Sequence, residues 1–365
     1  MLVAEAVEAG AIKLSKRKIQ TILKDAKKCA EVVDLLYVDD RQEGIQREPS
    51  ASGFDYRLKR KKIRDRATLE RIRKLAIPPA WRNVWICSAA NGHLQATGID
   101  AKGRKQYKYH PNWNALRNHT KFYRLLQFGK CVPQIRARLE RDLGQPGLPA
   151  EKVLAAVICL MDLTSIRIGN SAYEKLYGSF GLTTLKNRHV AIQGDRMQFI
   201  FRGKKGIAHK ISIKNKRLAR IVKSCRDIPG QELFQYYDDE GNRKSIDSGM
   251  VNAYLKEISG EDFTAKDFRT WAGSVHALTA LGNIDAATTK AEIKKNVLAA
   301  LDSVAAHLGN TRTVCKKYYV HPMILTLYEE SRLDIYLKCE GSECPAGVIR
   351  EEHILMTILE KEKPR

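Results

Sequence analysis

Four side chains in this sequence carry a chemistry that their neighbours do not explain. Arg167 stands between Ile166 and Ile168 in SIRIGN, a setting that half-buries a guanidinium. A buried arginine requires an anion or a carboxylate partner. Lys204 is the first lysine of FRGKKG, a hairpin turn, and projects from a rigid stem. Arg269, in DFRTWAG, falls in the first turn of a helix, where the helix N-terminus adds positive potential for an anion. Tyr319 lies in TVCKKYYVHP, just before Pro322 interrupts the helix. Each also has a plainer reading. Arg167 pairs with Asp162 or Glu174, Lys204 is an ordinary turn lysine, Arg269 stacks beside Trp271, and Tyr319 is a core residue with a hydrogen-bonded hydroxyl. Singly, none of these signals is specific.

The elements that must position them are legible in outline. Val153, Val157, Leu160 and Met161 form the apolar stripe of a helix that leads into Arg167. Residues 188–214 read as three strands, with turns at Gly194-Asp195 and at Gly203 to Gly206. Ile207, His209, Ile211 and Ile213 share one face of the last strand, and Ala208, Lys210 and Ser212 the other. Thr264 to Asp267 resembles a capping box opening a helix through Leu278. Val297, Leu301, Val304 and Leu308 mark another helix, closed by Gly309.

Upstream, residues 12–32 read as a short basic helix, and residues 1–34 as a basic leader. GIQREPSASGF is rich in turn formers and reads as a loop. The basic run from Arg57 to Lys74 is either a solvated helix face or a contact surface. Residues 75–110 form short strands cut by Asn91-Gly92 and Lys102-Gly103. Helices take over near Asn118: Phe122, Leu125, Leu126 and Phe128 begin one, and Gln145 to Pro149 ends the next. The fold expected is α+β, with a small β-rich domain over 35–117, a mostly helical catalytic domain over 118–335 holding a three-stranded antiparallel sheet, and a C-terminal tail over 336–365.

Charge narrows the partner. Of 365 residues, 64 are Lys or Arg and 41 Asp or Glu, leaving +23, a surface suited to a polyanion and first of all to nucleic acid. No apolar run approaches the roughly 18–20 residues that span a bilayer. The N-terminus lacks an apolar segment of secretory type. The eight cysteines form no CxxC pair and read as reduced thiols in a cytoplasmic protein, although Cys339 and Cys344 are close enough in sequence to close a small loop. There is no Walker loop, HExxH or GxSxG, and no carboxylate cluster for magnesium, so no cofactor or metal is expected.

Together the segments SIRIGN, FRGKKG, KDFRTWAG and NTRTVCKKYYVHP resemble the type IB DNA topoisomerases in order and spacing, and specifically the bacterial, poxvirus-like branch. AIPPAWRNVWIC and GHLQATGIDAKGRKQYKYHP extend the resemblance over roughly residues 35–330. It implies that the Tyr319 hydroxyl attacks a backbone phosphorus of duplex DNA, forming a 3′-phosphotyrosyl bond and releasing a 5′-hydroxyl. Exchange of one phosphodiester for another is nearly isoenergetic, so no ATP is needed. A phenol, with pKa about 10, needs a cationic pocket to react at neutral pH. The resemblance gives that role to Arg167 and Arg269, as clamps on the non-bridging oxygens, and makes Lys204 the general acid for the departing oxygen. A fifth catalytic position, nine before the tyrosine, is histidine in poxvirus and eukaryotic relatives and here is Asn310, which can donate to a phosphate oxygen without charge or can simply end a helix after Gly309. Tyr318 and Tyr319 point about 100° apart on a helix, so only one faces the site. The motif favours Tyr319.

The same resemblance makes Gln106, Tyr107 and Tyr109, with Arg104 and Lys105, DNA contacts, and places Lys59 and Arg60 on backbone phosphates. The alternative for this segment is a basic edge strand with core tyrosines. The expected assembly is a monomeric C-shaped clamp on supercoiled duplex DNA, associated with the nucleoid. Two other readings stay open. One is a tyrosine recombinase, which usually shows H-x-x-R where this chain has Lys266 before Arg269; the other is a non-catalytic DNA-binding protein.

Overall fold

The computed structural model describes residues 26–362 apart from 52, 102, 104, 285–288 and 339–343, and omits the side chains of 26, 117–121, 123 and 172. Most of the leader, Arg104 and Cys339 therefore lie outside the described residues. The chain divides into two compact units, Met1–Tyr123 and Arg124–Lys363. The α+β fold expected from the sequence is the one observed.

In the first unit, helix α1 (Ala26–Glu31) precedes β1 (Ile45–Ser50), β2 (Gly53–Leu58), β3 (Lys61–Lys62), α2 (Arg66–Lys74), β4 (Arg82–Ile86), β5 (Leu94–Ile99) and β6 (Lys105–Tyr109). The strands form one sheet in the order β3-β2-β1-β4-β5-β6, antiparallel throughout. Two segments of this sheet differ from what the sequence suggests. The segment IQREPS, read as a loop, is β1: Ile45 pairs with Ile86 and is buried with Val84 and Ala96, while the turn-forming Pro49 and Ser50 fall at the hairpin end. The basic run is not one helix. It contributes the end of β2, the turn Lys59-Arg60, β3 and only then α2, whose Ile72 is buried in the same cluster.

The unit boundary falls within α3 (Pro111–Leu143), a single helix where the sequence suggested two. The second unit continues with α4 (Ala150–Thr164), α5 (Ser171–Tyr177), the sheet β7 (Val190–Gln193), β8 (Arg196–Arg202) and β9 (Ala208–Lys214), then α6 (Lys216–Asp227), the small pair β10 (Gln235–Tyr237) and β11 (Arg243–Ser245), and α7 (Ser248–Ser259). Next come α8 (Ala265–Gly282), α9 (Lys290–Leu308), α10 (Arg312–Tyr318), α11 (Pro322–Glu329), α12 (Asp334–Leu337) and α13 (Arg350–Lys361). The capping box opening α8 is present: Asp267 Oδ2 accepts from the Thr264 amide at 2.8 Å and from its hydroxyl at 2.9 Å. His209, Ile211 and Ile213 do face inward from β9, whereas Ile207 precedes the strand and is exposed.

Helix α13, within the segment read as a tail, packs into the core of the second unit. Its buried Glu352 accepts from both terminal nitrogens of Arg136 on α3 (2.7 and 2.9 Å) and from the Trp271 indole on α8 (2.8 Å). Arg136 also reaches Asp162 on α4 at 2.9 Å. Burial acts to raise the Glu352 carboxyl, but the hydrogen bonds from Arg136 and Trp271 outweigh it and hold it below the usual carboxylate range. Its stabilising contribution is therefore complete above the ordinary glutamate pKa and is lost as pH falls through the lowered value. Glu352→Gln should cost roughly 1.5–3 kcal/mol at pH 7, the worth of hydrogen bonds to a charged group. In thermal melts, the gap between variant and native protein should close on acidification.

Candidate active site

Helix α4 ends at Thr164, and Ser165 caps it in the left-handed region, φ 54°. Gly309 caps α9 likewise, φ 58°. These two turns supply the acceptors that fix the arginines. Arg269 donates through one terminal nitrogen to the Ser165 carbonyl and through the other to the Leu308 carbonyl at 2.8 Å. Arg167 donates to the Gly309 carbonyl at 3.1 Å and to Asn310 Oδ1 at 2.6 Å. The C-terminal carbonyls of α9 carry the negative end of a helix dipole, which suits two guanidiniums. Arg269 is the fifth residue of α8, one place beyond the first turn expected for it, and is held by these carbonyls while only 5% exposed.

The carboxylates that offered Arg167 a plain explanation are engaged elsewhere: Asp162 binds Arg136, and Glu174 binds Lys186 at 2.7 Å. Trp271 is likewise turned to Glu352 and not to Arg269. Among the described residues no carboxylate pairs with either arginine. Burial pushes Arg269 down to about 10, Arg167 adds to the fall, and Tyr319 opposes it by its charge and by a hydrogen bond. Arg167 is also lowered, chiefly by burial, with Tyr319 opposing.

Tyr319 follows α10, and the Arg269 guanidinium carbon lies 5.3 Å from its ring centroid. The backbone at Tyr319 is held by α8, the helix that carries Arg269. A Cβ on Gly273 would lie 2.7 Å from the Tyr319 carbonyl oxygen, so only glycine permits this approach. The fully buried Ser274 hydroxyl donates to the same carbonyl at 3.2 Å and accepts from the His321 amide at 3.0 Å. Ser274 was not singled out in the sequence; its only signal there is its place one residue beyond RTWAG. Tyr318 is exposed, with Lys317 5.6 Å from its ring.

Arg167, Arg269, Asn310 and Tyr319 are thus gathered. Two of their N–H groups, Arg269 Nε and Asn310 Nδ2, are buried with no acceptor. Lys204 stands exposed on the turn between β8 and β9, with no hydrogen bond or ion pair among the described residues, where Lys205 takes a positive φ of 63°.

In the first unit Tyr107 and Tyr109 are 47% and 39% exposed, on one face of β6, their rings parallel within 7° and 6.0 Å apart. This is not the core placement of the alternative reading. Lys105 shares that face and is bonded to Asp40 at 2.5 Å. Gln106 alternates to the opposite face, and its amide donates to Asp100 at 3.0 Å. Lys59 and Arg60 form the two-residue turn between β2 and β3, with Lys59 3.2 Å from Glu43.

Residues 110–335 match the profile of the eukaryotic DNA topoisomerase I catalytic core, and residues 53–100 that of the bacterial DNA topoisomerase IB N-terminal domain. The DNA topoisomerase 1B of Acanthamoeba polyphaga mimivirus is 34% identical over 298 residues, covering 79% of this chain and 88% of the viral one. The DNA topoisomerase I of Monkeypox virus is 23% identical over 249 residues, covering 67% and 76%. The chain belongs to the type IB DNA topoisomerases. Its enzymatic activity is therefore that of a type IB topoisomerase on DNA, and the recombinase reading falls, in keeping with Lys266 where recombinases usually carry histidine. No helix among the described residues is long and apolar enough to cross a membrane.

Proposed function

We propose that Tyr319 is the nucleophile of this topoisomerase, with Arg167, Arg269 and Asn310 binding the scissile phosphate and Lys204 protonating the leaving 5′-oxygen. The observation that carries this reading is the pair of buried donors without acceptors, Arg269 Nε and Asn310 Nδ2, beside the tyrosine. Buried N–H groups are ordinarily satisfied. Two left open, one on Arg269 and one on the Asn310 amide that Arg167 holds, with no carboxylate among the described residues on either guanidinium, suit an anion whose charge grows in the transition state. The Tyr319 hydroxyl gives up its proton to solvent as its oxygen bonds to phosphorus, the P–O5′ bond breaks, and the 5′-oxygen takes a proton from Lys204, which regains one from solvent. The energy of the broken bond is kept in the phosphotyrosine, and the same groups reverse the step after the free end has swivelled. All five residues lie in one unit of one chain, which supports a monomer as the working form. Torque drives the swivelling, so supercoiled duplex is the preferred substrate, and the cytoplasmic nucleoid is the place of action.

Negatively supercoiled plasmid, incubated with the protein in EDTA without ATP, should give a ladder of relaxed topoisomers. Plasmid that stays supercoiled while bound by intact protein would leave the non-catalytic reading standing.

We place the DNA contacts of the first unit at Tyr107, Tyr109, Lys59 and Arg60, with Lys105 beside them. Both turn residues, Lys59 and Arg60, have positive φ (49° and 65°). A two-residue hairpin turn of this kind ordinarily carries Asn-Gly. Side chains kept there at a cost of about 1 kcal/mol or more in strain fit a binding role. Replacing the pair by Lys59→Asn with Arg60→Gly should raise the melting temperature yet weaken duplex binding. The log–log salt slope should become shallower by about 0.9 for each phosphate that is no longer neutralised. A stabilised variant with an unchanged slope would remove both residues from the interface.

A further inference from the structure

We propose that His209 is a positioning residue for strand cleavage, its ring spacing the turn that carries Lys204 from the loop that carries Asn310. The proposal rests on the reading of Lys204 as the general acid. His209 pairs with Phe201 across β8 and β9, and the two rings lie nearly parallel, 15° apart in plane with centroids 5.0 Å apart. Its imidazole faces inward and touches two glycines. A Cβ on Gly203 would come within 2.6 Å of its Nε2, and one on Gly309 within 2.6 Å of its Cε1. Gly203 immediately precedes Lys204. Gly309 immediately precedes Asn310 and gives its carbonyl to Arg167.

Gly309 needs to be glycine for its positive φ alone, but Gly203 does not. Its φ of −90° suits any residue, so the ring accounts for the missing side chain there. The imidazole is thus the packed slab between two loops that otherwise come from distant parts of the chain. Burial, with Arg167 and Arg269 nearby, keeps it below the usual imidazole range and so neutral at neutral pH. A neutral slab fixes distance without adding a charge. Removing it frees the Lys204 turn to drift from the phosphate, and general acid catalysis is sensitive to such displacement.

The test is single-turnover cleavage of a duplex whose leaving 5′-oxygen is either oxygen or sulfur. With sulfur, the Tyr319 hydroxyl gives its proton to solvent as its oxygen bonds to phosphorus, and the P–S bond breaks, the thiolate leaving with the electron pair and needing no proton. His209→Ala should slow cleavage of the oxygen substrate about 30-fold, short of the 10²–10⁴ typical of losing the acid itself. Duplex affinity should be unchanged, and the sulfur substrate should be cut within about three-fold of the native rate. Gly203→Ala, which presses a methyl against the ring from the other side, should show the same pattern and carries the test if His209→Ala fails to fold. Lys204→Ala serves as the reference. Sulfur rescue of Lys204→Ala but of neither other variant would overturn the positioning role alone. Rescue of none of the three would overturn the acid assignment, and this role with it.

Discussion

Tyr319→Phe should abolish the covalent protein–DNA adduct trapped by detergent, and plasmid relaxation with it, while duplex binding stays within about two-fold of the native value. The expectation follows from how differently the two adjacent tyrosines are held. Tyr319 is tied at its backbone by Ser274, approached by Gly273, and covered by the Arg269 guanidinium. Tyr318 is the last residue of α10 and exposed, with Lys317 near its ring. Loss of one phenolic oxygen removes the nucleophile outright, and no neighbouring group can replace it. The effect on cleavage should therefore reach the detection limit, whereas Tyr318→Phe should change it by no more than a few-fold. An adduct that survives Tyr319→Phe and disappears in Tyr318→Phe would transfer the role to the neighbour. Intact binding with no adduct in the native protein would instead favour a protein that only binds DNA.

The gathering of Arg167, Arg269, Asn310 and Tyr319 was expected only from the resemblance of their segments to the type IB topoisomerases; what the residues themselves made legible is the elements that carry them. The Thr264-Asp267 box, the Gly309 cap and the alternation of β9 are decided by neighbours within a few residues. What was not legible depends on partners distant in the chain. The strand β1 carries Glu48, Pro49 and Ser50, which locally favour a turn; its pairing with β4 overrides them at the Ile45 end. The sequence suggested two helices between Phe122 and Pro149, yet α3 runs unbroken to Leu143; a Cβ on its Gly129 would come within 2.5 Å of the Trp271 ring, a contact made by a residue far along the chain. Helix α13 has an ordinary amphipathic pattern, and nothing in it reveals that Glu352 meets Arg136 and Trp271. Ser274 and His209 were missed for a related reason. Their roles are to hold other residues in place, and spacing within one element carries no mark of that.

Arg269→Ala should lower the single-turnover cleavage rate by about 10³–10⁵, the range seen when a cation that stabilises phosphoryl-transfer charge is removed. Duplex binding should hardly change, because many surface cations hold the backbone and this one is almost wholly buried. Arg269→Lys should recover little. The guanidinium uses one terminal nitrogen on the Ser165 carbonyl and the other on the Leu308 carbonyl, which leaves Nε free. An ammonium on a flexible stem cannot satisfy two diverging carbonyls and still present a directed donor to a phosphate oxygen. The same geometry separates a chemical role from a structural one. If Arg269 served chiefly to tie α4 and α9 to α8, lysine would restore part of the activity in proportion to the stability it restores. If it serves the transition state, thermal melts can recover with lysine while the cleavage rate does not. Parallel recovery of melting temperature and cleavage rate in Arg269→Lys would therefore remove Arg269 from the chemistry and leave Arg167 as the phosphate-binding cation.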